Sequence, residues 1–159
     1  MSEQFKEFPP LDDAEYERRR AAQLAPIFDH GKYYRGIRLP KGYRKRKETF
    51  CFHNAQCLAI NGRGRYIEGV GYCRINGKPG AGWIGVRHAW VTLDGETAID
   101  VTWRENPEDV IYFGVEFTNK QIAELWHDGT SKPFFGFDGF VLDRPPGFEK
   151  RTAQMEIAA

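Results

Sequence analysis

Three residues of this sequence have side chains suited to nucleophilic catalysis, and they occur in a suggestive order. Cys51 begins an apolar segment, His88 lies in the stretch RHAWV, and Asp100 lies in the stretch IDVTW. A thiolate can attack a carbonyl carbon, an imidazole can transfer the protons, and a carboxylate can orient the imidazole. These residue types predict a Cys-His-Asp catalytic triad, provided that the fold brings the three together.

The composition predicts one domain with an α+β fold. The chain has 159 residues, of which 41% are hydrophobic and 14% aromatic. That length is enough for one packed core and too short for two ordinary domains, and the aromatic content favours a core that contains strands. We expect a single domain over residues 1–159, in which the proline-containing residues 1–10 form a flexible arm. The formal net charge of +1 excludes an overall electrostatic attraction to nucleic acid or acidic membranes.

The three cysteines favour a reducing compartment and give no metal-binding pattern. Residues 1–30 lack a secretion signal, and no apolar run is long enough to span a membrane, so we predict a cytoplasmic protein without membrane contact. Cys51, Cys57 and Cys73 are separated by six and sixteen residues, which excludes a short Cys-x-x-Cys pair. Although His53 lies nearby, we predict neither a metal site nor a cofactor.

The hydrophobic periodicity predicts N-terminal helices packed on a mostly antiparallel sheet. A charged helix is expected from residue 11 to the residue before Pro26, and a second helix over 50–60, with Thr49 as its N-cap. Thr118 and Gln121 form the capping box of a third helix over 119–128. No element is predicted for the tail after Pro145. The predicted strands are 66–73, 83–93, 97–103 and 110–117, with 134–142 as a further strand or aromatic loop.

The predicted position of Cys51 is the first turn of its helix. Unpaired backbone N–H groups at a helix N-terminus stabilise a thiolate, and the N–H of Cys51 itself could donate to an oxyanion. Asn54 shares the face of Cys51 at an offset of three residues. A second oxyanion donor could be Asn54 or the hydroxyl of Tyr33, Tyr34 or Tyr43.

His88 belongs to the apolar face of a predicted strand. Its period-two neighbours include Val86 and Trp90, and we expect the helix that carries Cys51 to cover this face. The other histidines have weaker positions: His53 faces away from Cys51 on the same helix, His127 lies at a helix end, and His30 lies outside the predicted elements.

The turn after the His88 strand determines whether Asp100 shares the face of His88. A two-residue Asp94-Gly95 turn would place the two side chains on opposite faces, which would disrupt the triad. A three-residue loop of Leu93, Asp94 and Gly95, with Gly95 at positive φ, would oppose His88 to Asp100. We predict the three-residue loop.

A basic stretch precedes the cysteine helix. Residues 32–47 contain eight Lys or Arg and no acid, and they end in the run Arg44, Lys45, Arg46 and Lys47. Such a stretch with interleaved tyrosines can follow a phosphate backbone, but no nucleic-acid-binding motif accompanies it. We favour a solvated loop over a nucleic-acid interface.

In these motifs the chain resembles the transglutaminase-like superfamily of papain-like cysteine enzymes. The resemblance rests on Cys51 at a helix start, on His88 in a His-Ala-Trp motif, and on Asp100 in an Asp-x-Thr motif followed by Trp103. It covers residues 48–117, the expected catalytic core, and Val101 replaces the proline usual in the family. It implies a papain-like core and attack by Cys51 on an amide through a thioester intermediate.

Three further residues are candidates for contact with a substrate. We assign oxyanion or substrate contacts to Asn54, Trp90 and Trp103, and we expect a peptide, a protein or a small amide as substrate, with water as the favoured acyl acceptor. The alternative is an inactive module of the same fold that binds protein or nucleic acid through its aromatic cleft or residues 44–47.

Overall fold

The structure of the protein is a computed structural model that describes residues 12–136 and 139–157. The arm expected at residues 1–10 lies outside the described residues. Within them, four α-helices accompany six strands, which agrees with the predicted α+β class. In chain order the elements are α1 (Asp13–His30), β1 (Lys32–Gly36), α2 (Cys51–Ile60), β2 (Arg65–Arg74), β3 (Trp83–Thr92), β4 (Thr97–Ala98), β5 (Val110–Phe117), α3 (Asn119–Leu125), β6 (Phe140–Val141) and α4 (Phe148–Ile157).

The six strands form one sheet in the order β4-β1-β5-β2-β3-β6, and every pair is antiparallel except β1 with β4. Immediately after β4, Ile99 exchanges two backbone hydrogen bonds of 2.8 and 3.2 Å with Val91 of β3. Residues 97–99 therefore join β1 to β3. This closes the five strands other than β6 into a small barrel.

Strand alternation divides the core into an outer layer and a barrel interior. Outside, the α2 residues Ala55 and Leu58 pack on Tyr66 of β2 and Val91 of β3, while α1 and α4 cover the other half of the sheet. Inside, the cluster comprises Tyr34, Ile67, Trp90, Ala98, Val110 and Tyr112. The described helices thus lie on the outer face, and the interior is filled by aromatic side chains.

Several predicted boundaries were wrong for reasons of tertiary contact. α1 continues through Pro26 to His30, because Leu24 and Ile27 on either side of the proline are buried in the outer core. β1 forms within the basic stretch, which was predicted as a loop, and α4 forms in the tail, where no element was predicted.

The strand predicted over 97–103 contains only Thr97–Ala98. Its end is set by Asp100, whose carboxylate Oδ1 accepts hydrogen bonds from the backbone N–H groups of Thr102 (2.9 Å) and Trp103 (3.2 Å). An aspartate that bonds the backbone two and three residues ahead turns the chain. The same carboxylate thus ends the strand and orients the residues that follow it.

Candidate active site

His88 and Asp100 meet in the barrel interior. Nε2 of His88 lies 2.7 Å from Oδ2 of Asp100, and both side chains are almost fully buried. A buried charge is costly unless it is paired and hydrogen-bonded. The contact is therefore an orienting hydrogen bond in a low-dielectric environment, as a base and its carboxylate partner require.

The predicted three-residue loop that was to create this contact was wrong. Val91 opposes Ile99, whereas the predicted register would have placed it opposite Thr97. Gly95 has the predicted positive φ, at 79°, but the carboxylate of Asp94 accepts backbone hydrogen bonds from Glu96 and Thr97 and lengthens the turn. The difference is two residues, and an even shift leaves each side chain on the same face.

The carboxylate of Asp100 is held by donors on both oxygens. Oδ2 accepts the hydroxyl of Tyr112 at 2.9 Å in addition to His88, while Oδ1 accepts the two backbone N–H groups that end the strand. Burial by itself would raise the pKa of Asp100, but the charge of His88 and these hydrogen bonds outweigh it and lower the pKa to about 2. Asp100 is therefore an anion at neutral pH.

The charge state of His88 follows from Asp100. Burial by itself would lower the pKa of His88, but the Asp100 charge and hydrogen bond, with a smaller contribution from Cys51, outweigh it and raise the pKa to about 10. Trp103 stacks on the imidazole with ring centroids 3.9 Å apart and 16° between the planes. Gly71 leaves room for the indole, because a Cβ at that position would lie only 2.5 Å from it. A protonated, shielded imidazolium results.

Cys51 is the first residue of α2, and its thiol lies close enough to the His88 ring to contribute to the raised pKa of that imidazole. Because Nε2 of that ring is bonded to Asp100, Nδ1 is the ring nitrogen that remains for another partner. The N-cap is Phe50, which makes no side-chain cap, and the predicted cap Thr49 instead has a left-handed φ of 66°. The backbone N–H of Cys51 has no acceptor within its helix, as oxyanion binding requires.

α2 packs outside the barrel, and its first residue lines the same cleft as His88. The helix packs outside, on Ala89 and Val91, and does not cover the face of His88 as expected. One edge of β3 pairs with β2. Along the other edge, residues up to Arg87 pair with β6 and the residue before it, and Val91 pairs with Ile99; between these points β3 has no strand partner among the described residues. The N-terminus of α2 places Cys51 in the wall of the cleft that His88 also lines.

Asn54 supports the site without offering a free donor. Its Nδ2 donates to the carbonyl of Lys47 at 2.9 Å and to Oγ1 of Thr102 at 3.0 Å. A side-chain amide has two N–H bonds, so both are used and neither points to an oxyanion in this structure. Asn54 instead ties the segment before Cys51 to the turn that follows Asp100.

The tyrosines considered as oxyanion donors are also committed elsewhere. Tyr33 donates to the carbonyl of Pro146 at 2.8 Å, and Tyr43 donates to the carbonyl of Arg63 at 3.1 Å. Tyr34 is buried inside the barrel. The backbone N–H of Cys51 remains the donor that the fold places at the thiol.

A cleft of about 530 Å³ opens beside the thiol, and Trp103 forms part of its wall. Trp90 was also expected at the substrate, but it lies inside the barrel in edge contact with Tyr34 and Tyr112 and does not line the cleft. The residues around the cleft are Glu48, Thr49, Cys51, Phe52, Val86, Arg87, His88, Thr102, Trp103, Arg104, Glu105 and Gly139.

The sequence-based assignment missed two residues that hold Asp100. Tyr112 lies inside the barrel by strand alternation, which was the available signal for it. No such signal marks Lys45, because it lies in the basic run that was predicted to be a solvated loop. Its Nζ donates to the carbonyl of Asp100 at 2.8 Å and to that of Trp103. Partial burial lowers the pKa of Lys45, against the opposing influence of Asp100.

The basic run is docked against the site along its backbone. The N–H of Arg46 donates to the carbonyl of Val101 at 2.7 Å, and Arg104 donates to the carbonyl of Arg46 at 3.0 Å. Because the ammonium of Lys45 is bonded to two carbonyls, it is not a free cation for a phosphate. The run is thus docked against the turn that follows Asp100, in addition to being a charged surface.

The other two thiols lie in environments that disfavour a nucleophile. Burial raises the pKa of Cys73 to about 12, and burial also raises the pKa of Cys57, whose sulfur lies 3.5 Å from Nε2 of His53. Within the described residues, no group of three or more His, Cys, Asp or Glu is arranged to hold a metal ion.

No family model matches this sequence, and no curated protein or solved structure matches it either. Among the helices of the described residues, none combines the length and the apolar character needed to cross a membrane. A functional assignment therefore depends on the geometry of the site.

Proposed function

We propose that the protein is a cysteine-dependent acyl-transfer enzyme of the transglutaminase-like type, acting on an amide through a thioester. The observation that carries this proposal is the hydrogen-bonded pair of His88 and Asp100, together with Cys51 in the wall of the open cleft that His88 also lines. His88 and Asp100 are buried and paired, and Cys51, which is also buried, lies at a helix N-terminus, where anions are stabilised. A purely structural histidine would not need a thiol in the wall of the same cleft.

The reaction follows from the charge states of these groups. A protonated His88 beside the thiol favours a thiolate, which attacks the carbonyl carbon of the amide and forms a C–S bond. The backbone N–H of Cys51 stabilises the oxyanion. The C–N bond then breaks, and His88 gives its proton to the departing amine. Water, or another amine, next attacks the thioester while His88 accepts its proton, which releases the acyl group and regenerates the thiolate.

Asp100 and Trp103 keep the imidazole in place throughout this cycle. The carboxylate fixes Nε2, which leaves Nδ1 available to the sulfur, and the stacked indole shields the pair from water. We further propose a papain-like core, because a helix N-terminus that meets a barrel histidine is the arrangement implied by the resemblance. A reduced thiol also fits a cytoplasmic location.

Thiol labelling tests the activation of Cys51. At pH 6.5 and a limiting concentration of iodoacetamide, we expect peptide mass spectrometry to find Cys51 alkylated at least tenfold faster than Cys57 and Cys73. His88→Ala should abolish the preference. His127→Ala, which alters a histidine near the end of α3, is the matched control and should retain it. Equal rates at the three thiols would refute the nucleophile assignment and favour a binding module.

An acyl donor tests the covalent step directly. p-Nitrophenyl acetate should transfer one acetyl group to Cys51, detected by mass spectrometry as a thioester that hydroxylamine removes, with release of p-nitrophenolate. Cys51→Ser should lose this adduct, and Cys57→Ser should keep it. An adduct confined to lysine side chains would contradict the mechanism.

A further inference from the structure

Beside the cleft lies a row of exposed apolar side chains on β3, on β6 and directly after β6. Phe140 is 68% exposed, Leu142 is 74% exposed and Ile84 is 41% exposed. Isolated apolar residues are common on protein surfaces, but a continuous row marks a binding surface. We call Ile84, Val86, Phe140 and Leu142 the apolar rim.

The pairing of β3 with β6 places this rim on the face of His88. Ile84, Val86 and His88 alternate along β3 and so share one face, and Phe140 is the antiparallel partner of Val86. Leu142 follows two residues later. Val86 also lines the cleft that contains Cys51. The rim is therefore continuous with the candidate active site.

The outer edge of β6 is suited to an extended chain. The carbonyl of Gly139 accepts the N–H of Arg87, and Val141 is paired with Gly85, so the backbone groups of both residues face β3. By alternation, the N–H and C=O of Phe140 point away from β3. β6 is the last strand in the sheet order of the described residues. An extended peptide can add to such an edge through main-chain hydrogen bonds, while its alternate side chains contact the row.

We propose that the apolar rim binds the substrate as an extended polypeptide with a bulky apolar side chain two to four residues from the reacting amide. This inference rests on the proposed function, because the amide must lie at Cys51. The spacing follows from the strand: Val86 and Ile84 precede His88 by two and four residues, which is about 7 and 13 Å at the rise of a β-strand. A small amide would occupy the cleft without contacting the apolar rim.

Two thiol reagents separate the rim from the thiol chemistry. A peptidyl chloromethyl ketone with Phe and Leu at the proposed positions should alkylate Cys51 at least tenfold faster than the same reagent with Ser at both. Phe140→Ser combined with Leu142→Ser should remove that preference. The same variant should leave alkylation by iodoacetamide within twofold, because this small reagent does not reach the rim.

The matched control is Leu93→Ser combined with Ile60→Ser. Leu93 is also an exposed apolar residue, but neither it nor Ile60 lines the cleft. This variant should retain the preference for the apolar reagent. Thermal unfolding of both variants checks that neither loses the fold.

A measurement of peptide affinity tests the apolar rim even if Cys51 is not activated. Fluorescence anisotropy with Cys51→Ala measures the affinity for a fluorescein-labelled peptide of the Phe-Leu or the Ser-Ser sequence. We expect tighter binding of the apolar peptide by about tenfold, lost in the rim variant. Equal affinities would overturn the rim proposal even if Cys51 is reactive. Dissociation of a dimer by the rim variant, with peptide binding unchanged, would show instead that the rim joins two copies of the chain.

Discussion

Replacing Asp100 with asparagine tests the electrostatic reasoning most directly. Asp100 is the largest influence that raises the pKa of His88, and it acts against the burial of the ring. Asparagine has nearly the same shape but no charge. In Asp100→Asn the burial remains while the opposing carboxylate is lost, so the pKa of His88 should fall from about 10 to 6.5 or below.

The structure sets the size of the effect. The gap between a pKa of about 10 and the ordinary 6.5 corresponds to at most about 5 kcal/mol in favour of the imidazolium. At pH 7, a pKa of 6.5 leaves about a quarter of the imidazole protonated. The Asp100→Asn variant loses both the protonated state of His88 and the fixed orientation of its ring. We therefore expect the rate of acyl transfer to fall by about 10²- to 10⁴-fold.

Two measurements check this prediction. The pH dependence of Cys51 alkylation by iodoacetamide should move to higher pH in Asp100→Asn, and the His88 ring signal in NMR should titrate at a lower pH than in the wild type. Asp109→Asn, an exposed carboxylate in the turn Pro107–Asp109, is the matched control. An unchanged alkylation profile together with an unchanged His88 titration would refute the coupling of Asp100 to the thiol.

Four further outcomes follow from the same contacts. Tyr112→Phe removes one hydrogen bond from Asp100 and should lower kcat about three- to tenfold with little change in KM. Lys45→Met releases two carbonyls and should lower kcat by a similar factor, with partial rescue by Lys45→Arg. Glu68→Ala removes the carboxylate from buried Arg87 and should reduce the free energy of unfolding in urea by about 3–5 kcal/mol. The stability difference between the wild type and Asp100→Asn should be largest between about pH 4 and 6.5.

The last of these depends on the signs of two pKa shifts. The raised pKa of His88 contributes stability that is complete below about pH 6.5 and is lost as the pH rises toward about 10. The lowered pKa of Asp100 contributes stability that is complete above about pH 4 and is lost as the pH falls toward about 2. Urea unfolding of the wild type and Asp100→Asn at a series of pH values measures how their stability difference depends on pH. A difference that grows steadily above pH 8 would contradict it.

The controls for the other variants come from equivalent residues away from Asp100. Tyr43→Phe removes a hydroxyl that bonds Arg63, and Lys41→Met removes an exposed cation of the same basic stretch. Neither should change kcat. If Lys41→Met lowered kcat as much as Lys45→Met, the effect would be one of surface charge, and the two carbonyl contacts would not explain it.

Local patterns were sufficient for the elements that carry the site. The apolar run rich in β-branched and aromatic residues predicted β5 over 110–117, and the capping box of Thr118 and Gln121 is present at the start of α3. The helix with Cys51 in its first turn was also predicted. These features depend on residues within a few positions of each other, so they can be predicted from the local sequence.

Features that depend on distant contacts were not predictable in the same way. The continuation of α1 past Pro26 requires the outer core that buries Ile27, and the two partners of Lys45 exist only because the chain turns after Asp100. A basic run next to tyrosines has the same local pattern whether it is solvated or docked. Composition therefore could not assign Lys45 to the site.

The register of the turn before β4 shows why a wrong local prediction still gave the right pair. The side chain of Asp94 binds the backbone ahead of it, so the loop is longer than the Asp-Gly signal alone indicates. Pairing along a strand has a period of two, and the observed register differs from the predicted one by two residues. His88 and Asp100 thus share the barrel interior in either register, but a shift of one residue would have separated them. The face of each residue is determined by parity, whereas the 2.7 Å contact also requires the turn that Asp100 itself makes.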